Sequence, residues 1–248
     1  MGRNLIIDIG NSVVKLAIFD NSEIEDFQKC AYGDLPEKLK TANFLCVDAC
    51  IISSTKNTDN ILLEYLHNNK VSCVRFLPTV TPVPIKNQYK SKDTLGADRL
   101  ANAVAANFLF PNNNTLVIDC GTAITFDYVS AEAEYLGGTI SPGLNMRFKA
   151  LNYYTDKLPL VELDNTFSTD LMGNNTRNSI LNGVVNGVIG EITSTINIAN
   201  STFDTLKVIM TGGDSLFLEK RINSGIFVSQ YLTLVGLNSI LKYNASYN

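Results

Sequence analysis

Two short apolar runs, Leu5-Ile6-Ile7 and Leu116-Val117-Ile118, each lead into an aspartate followed one residue later by glycine: Asp8-Ile9-Gly10 and Asp119-Cys120-Gly121. These apolar runs predict two strands. β-formers resume after each glycine, from Val13 to Phe19 and from Ala123 to Val129. Each glycine loop therefore joins two strands and does not open a helix. The two copies align at a fixed offset of 111 residues, which predicts an internal duplication.

Between the copies the periodicity predicts a helix over 35–40, a buried strand over 46–53, a helix over 58–68 and a strand over 73–76. A proline-bearing stretch (Pro78, Pro82, Pro84) and a polar loop then lead to a helix over 96–110. Its alanines Ala101, Ala103, Ala105 and Ala106 suit close packing. Pro111-Asn112-Asn113-Asn114 is the natural break, dividing the chain into domains 1–113 and 114–248. The second half repeats the plan: a turn-rich segment over 137–143, a helix over 144–152, a long helix over 176–199 and a strand over 207–210. A third glycine loop, Thr211-Gly212-Gly213-Asp214-Ser215, opens a further helix, and a last helix covers 232–243. Both halves read as α/β.

Composition narrows the function. At 248 residues and 45% hydrophobic content the chain can bury a substantial core. A net charge of −4 and no basic stripe argue against nucleic acid as a partner. The five cysteines are odd in number and none forms a Cys-x-x-Cys pair, so reduced thiols in a cytoplasmic protein are expected, with Cys46 and Cys50 as core residues. No stretch approaches the ~20 apolar residues that cross a bilayer, and the N-terminal apolar run is too short for an export signal. The only histidine, His67, sits at a polar helix end, which removes most histidine-dependent triads and zinc sites.

The glycine loops carry the chemistry. Glycine lets backbone N–H groups approach phosphate oxygens, and a carboxylate beside phosphate needs a cation to be tolerated there. An Asp-x-Gly turn alone serves equally well to reverse a chain. Two copies, with the third loop as a glycine surface for a nucleoside, point to metal-bound nucleotide. Leu95-Gly96-Ala97-Asp98-Arg99 places an acid and a base at a helix start. The helix dipole explains Asp98, but it disfavours Arg99, which therefore reads as a grip on an anionic group such as a substrate carboxylate. Asp98 beside it can accept a hydroxyl proton late in a loose phosphoryl-transfer transition state. Gly183, Gly187 and Gly190 in the long helix each cost about 1 kcal/mol relative to alanine, which predicts close approach by another helix, from the same subunit or a partner.

These residues resemble the type III pantothenate kinases of the acetate kinase, sugar kinase, Hsp70 and actin superfamily. The resemblance rests on Asp8-Ile9-Gly10-Asn11-Ser12 with Lys15, Tyr89 ahead of Gly96-Ala97-Asp98-Arg99, Asp119-x-Gly121-Thr122-Ala123, the 137–143 loop, Asn175-Thr176-Arg177 and Thr211-Gly212-Gly213-Asp214. It implies two duplicated RNase H-like, actin-like ATPase domains flanking a nucleotide cleft. It implies that Asp8, Ile9, Gly10, Asn11, Ser12, Val13, Val14, Lys15 and Thr122 bind ATP, and that Tyr89, Gly96, Ala97, Asp98, Arg99 and Thr176 bind pantothenate. Asp98 would be the proton acceptor, and Asp119 would hold a monovalent cation, potassium or ammonium, alongside Mg²⁺. The resemblance also implies a homodimer. Ser12 stands where the family usually has threonine, which keeps the hydroxyl. The rival readings are a catalytically silent accessory homologue that binds nucleotide and a phosphohydrolase of the same superfamily. The retained Asp8, Asp98 and Asp119 argue against the first, and Arg99 with Tyr89 against the second.

Overall fold

Strand β1 (Arg3–Ile9) is buried at every position from Asn4 to Ile9, because it lies mid-sheet with a neighbour on each side. β2 (Val14–Asp20) runs antiparallel to it, and the edge strand β3 (Glu23–Cys30) mixes exposed and half-buried residues. After α1 (Leu35–Thr41), β4 (Ala49–Ser54) pairs parallel with β1; after α2 (Asn60–Asn68), β5 (Ser72–Arg75) pairs parallel with β4. The order is β3-β2-β1-β4-β5. Leu5, Ile7, Ile9, Leu16, Ile52, Leu39 and Leu66 form the core between this sheet and its helices. The computed structural model describes residues 2–11, 13–41, 46–54, 60–164, 167, 170–222 and 225–245, so the predicted start of the second helix at Thr58 lies outside the described residues.

The pattern then repeats. β6 (Lys86–Asn87) and α3 (Ala97–Leu109) lead to β7 (Thr115–Cys120), which pairs antiparallel with β8 (Ala123–Val129). β9 (Glu134–Pro142), α4 (Leu144–Tyr153) and α5 (Thr176–Thr202) precede β10 (Lys207–Thr211), which lies parallel to β7. α6 (Ser215–Glu219), β11 (Ile226–Val228), parallel to β10, and α7 (Leu232–Ala245) complete the chain. Here the order is β6-β9-β8-β7-β10-β11, the succession of the first sheet with β6 added beyond β9. Two compact units result: Met1–Asn112 with Glu132–Leu136 and Tyr231–Asn248, and Asn113–Ala131 with Gly137–Gln230.

Three sequence expectations change. Cys50 is buried, but Cys46 is exposed, because β4 begins only at Ala49 and the Cys46 carbonyl accepts from the Arg3 guanidinium at the surface. The segment over 137–143 is strand through Pro142: Gly138 is there because a Cβ would stand 1.8 Å from the Phe126 carbonyl oxygen, a close approach rather than a chain reversal. The offset of 111 holds only to the glycine of each loop. Asp8 pairs with Lys15 and Ile9 with Val14, whereas Asp119 pairs with Thr125 and Cys120 with Ile124, so the first loop is one residue longer.

α7 packs on α3 within the first unit. Asn102 accepts from the Thr233 hydroxyl at 2.9 Å, and Asn4 donates to Asn238 at 2.8 Å; both pairs are buried, where an unpaired amide would be costly. Gly236 is required at the crossing, since a Cβ there would lie 1.9 Å from the Ala101 carbonyl oxygen. Gly236→Ala is expected to lower stability by about 1–3 kcal/mol, read as a drop in the urea midpoint at unchanged slope. An unaltered midpoint would show that the helices part without cost.

Candidate active site

The apolar side chains of Ile9 and Val14 are buried in the core, so these residues can offer only backbone groups to a ligand. Between them the loop closes through Gly10 N–H donating to Val13 O at 3.1 Å, with Asn11 exposed. Ser12 lies outside the described residues. Asp8, 8% exposed, sits at the strand end with Lys15 Nζ 3.7 Å from its Oδ2. Burial raises the proton affinity of Asp8 above the usual carboxylate range; Lys15 opposes this and the Asp98 carboxylate adds to it. Asp8 and Asp98 therefore share one electrostatic neighbourhood although 90 residues separate them in sequence.

Asp98 occupies the first turn of α3, where Oδ1 accepts from Arg99 N–H at 2.8 Å. A Cβ at Gly96 would stand 2.5 Å from that same oxygen, so a side chain there would displace the Asp98 carboxylate. Arg99 is buried, 5% exposed, and its guanidinium carbon lies 5.6 Å from the centre of the Tyr89 ring, within cation–π range. Tyr89 is itself positioned by its N–H donating to Asn87 Oδ1 at 2.9 Å and by the Tyr135 ring 6.0 Å away. Tyr89, Gly96, Ala97, Asp98 and Arg99 thus form one neighbourhood in the first unit, with Ala97 half-buried at the helix start.

In the second unit the other two glycine loops dock on each other. Gly121 N–H donates to Ala123 O at 3.1 Å, leaving Thr122 exposed at the tip and Asp119 half-buried below it. Gly212, at φ +94°, sits where a Cβ would lie 2.4 Å from the Cys120 carbonyl oxygen and 2.6 Å from Asp119 Oδ1, and Asp214 N–H donates to Cys120 O at 3.0 Å. Burial pushes the Cys120 thiol far up, helped by Asp119 and Asp214, and burial also raises Asp214. A cavity of about 260 Å³ opens beside this loop, lined by Asn145, Leu163, Gly213, Asp214 and Phe217 among others. Asp214 and Asn145 both line this cavity; the sequence reading named the loop that carries Asp214 without giving that residue a role of its own, and nothing pointed to Asn145.

Thr176 opens α5, exposed, after Asn175, whose side chain caps the helix by accepting from Asn178 N–H at 2.9 Å. It lines an open cavity of about 970 Å³ together with Arg147, Leu158, Gly173, Ile180 and Gly183. The helix glycines Gly183, Gly187 and Gly190 are exposed, and nothing in the described residues stands within 4 Å of a Cβ built at any of them. The close approach expected from the same subunit is thus absent among the described residues. No helix among them is long and apolar enough to cross a membrane.

Comparison with known proteins adds a family context to this geometry. Residues 4–198 match the family described as type III pantothenate kinase. The chain is similar to the type III pantothenate kinase of Phocaeicola vulgatus, 41% identical over 97% of this chain and 98% of that protein. It is likewise similar to that of Porphyromonas gingivalis, 42% identical over 98% of this chain and all of that protein. Among solved structures, the activator of 2-hydroxyisocaproyl-CoA dehydratase from Clostridium difficile, with ADPNP bound, superposes with a TM-score of 0.56 at 13% identity over 99% of this chain and 97% of that one. That last likeness concerns the fold alone.

Proposed function

The chain belongs to the type III pantothenate kinase family, and from that membership we propose that it moves the γ-phosphoryl group of ATP to the primary hydroxyl of pantothenate. The product is 4'-phosphopantothenate, and the reaction opens coenzyme A biosynthesis. The chain is an ATP-dependent kinase with an actin-like ATPase fold. The observation that carries the acceptor side is Asp98 at the start of α3, beside buried Arg99 under Tyr89 and in the electrostatic reach of Asp8.

In this reading Arg99 takes the pantothenate carboxylate, where a fixed fork of donors is worth more than a flexible ammonium. Tyr89, Gly96 and Ala97 complete the acceptor site in the first unit, and Thr176 is assigned to pantothenate from the family resemblance. Asp98 orients the hydroxyl and takes its proton late, which suits a transition state that asks more for alignment than for basicity. Asp8 to Lys15 and Thr122 are assigned to ATP, and the domain division 1–113 and 114–248 follows the two copies of the Asp-x-Gly repeat. The nucleoside is assigned to the cavity beside Gly213.

Cations follow from the acids. No group of three or more His, Cys, Asp and Glu side chains able to hold a metal occurs among the described residues. Mg²⁺ commonly needs only one or two carboxylates when phosphate oxygens and water complete its shell. Asp8, whose burial disfavours its charge, suits that part. Asp119, near Asp214 at the second loop, suits potassium or ammonium. A homodimer is supported by the open glycine face of α5 and by the exposed Tyr153, Tyr154, Leu171 and Met172 in the same unit.

The test is ADP release from ATP by the purified protein with pantothenate, with several sugars and with no acceptor, in the presence and absence of potassium. Release that requires pantothenate and rises with potassium is the expected result. Acceptor-independent release would indicate a phosphohydrolase, and ATP binding without release a silent homologue.

A further inference from the structure

We propose that Arg147 is a positioning residue for the second glycine loop, holding the Pro142-Gly143 turn on which Thr122 rests and so setting the affinity for ATP. The proposal rests on the assignment of Thr122 to ATP. Gly143 N–H donates to Thr122 O at 3.2 Å, and a Cβ at Gly143 would lie 2.4 Å from Gly121 O and 2.5 Å from Thr122 O. The backbone of the turn is therefore the back wall of the loop, and any displacement of the turn is passed to Thr122.

What fixes the turn is one side chain. Arg147, one helical turn into α4, donates through Nε to Pro142 O at 2.8 Å and through Nη2 to Ser141 Oγ at 3.4 Å. The same Nη2 donates to Glu191 on α5, and both side chains of this ion pair are partly sheltered, 23% and 29% exposed. α5 is a 27-residue helix anchored in the core by Val185, Val188, Ile192 and Ile196. The guanidinium thus ties the loop's support to a helix packed into the core of the second unit. Only arginine can do so, since its planar fork presents Nε to the carbonyl and Nη2 to the carboxylate at once, whereas a lysine ammonium is a single point donor group on a flexible stem.

Steady-state kinetics of four variants test this. Arg147→Met is expected to raise KM for ATP about tenfold, through loss of the charge-assisted bond that holds the Pro142-Gly143 turn behind Thr122, with a smaller change in KM for pantothenate, whose assigned Thr176 shares a cavity with Arg147. Glu191→Gln should shift it in the same direction by less. The exchanged pair Arg147→Glu with Glu191→Arg should recover the melting temperature of the wild type but not its KM for ATP, because a glutamate at 147 cannot donate to Pro142 O. Recovery of both by the exchanged pair, or a loss borne by KM for pantothenate, would overturn the proposal. Thr122→Ala separates the premises. If it leaves KM for ATP unchanged, the assignment of the loop fails and the proposal with it; if it raises KM while Arg147→Met does not, only the role of Arg147 falls. Should Arg147→Met not fold, Glu191→Gln decides, a wild-type KM for ATP in that variant overturning the proposal.

Discussion

Asp98→Asn is expected to cut kcat by about a thousandfold, the usual scale for a proton-accepting side chain, while the protein still folds and binds ATP. Asparagine keeps an oxygen where Asp98 Oδ1 accepts from Arg99 N–H, so the helix start and the stacking of Arg99 under Tyr89 survive the change. What disappears is the second oxygen's capacity to take a proton from the acceptor hydroxyl. The substitution also removes one negative charge beside Asp8, so the proton affinity of Asp8 should relax toward the ordinary range. ATP binding is therefore expected to hold or tighten slightly even as turnover is lost. ADP release and nucleotide titration on the same preparation check both parts. A variant with near-normal kcat would remove Asp98 from its role and leave orientation by Arg99 as the main contribution.

The residues that proved easiest to read are those whose local sequence and tertiary setting agree. An apolar strand that runs into Asp-x-Gly places its carboxylate at the C-terminal end of the strand, and Asp8 and Asp119 stand at such ends. Arg99 stands out in the sequence by its conflict with the helix dipole, and the structure buries it beside the Tyr89 ring. β9 was not legible, because two adjacent glycines look like a turn until the Phe126 carbonyl is seen to occupy the space a side chain would need. The place of α7 in the first unit was hidden for the same reason: Gly236 meets Ala101 from 135 positions away, and periodicity carries no information at that separation. Cys50 lies in the core as its sequence setting indicates, opposite Cys73 in the parallel β4–β5 register, whereas Cys46 falls before the strand and is exposed. Arg147 and Glu191 carry no sequence signal, being one pair of opposite charges among many until the turn between them is seen.

Asp8→Asn is expected to abolish tight magnesium–nucleotide binding and at the same time to stabilise the free protein, by roughly 0.5–2 kcal/mol, the range common for replacing a strained functional group. The sign follows from burial. The folded-state proton affinity of Asp8 lies above that of the unfolded chain, so between the two values the native state binds more protons and stability falls as pH rises through that interval. Below the interval Asp8 is uncharged in both states and resembles asparagine, so wild type and variant should melt together. At neutral pH the wild type carries the cost of a charged carboxylate that is 8% exposed, only partly offset by Lys15 at 3.7 Å, and the variant should melt higher. Saturating ATP with Mg²⁺ should reverse the order, since ligand that binds the native state stabilises the wild type alone. Melting temperatures of the two proteins in acidic and neutral buffer, each with and without nucleotide and metal, contain the whole test. If the variant is the less stable protein at neutral pH without ligand, the Lys15 pair outweighs desolvation, and Asp8 is a structural anchor whose charge the fold itself needs.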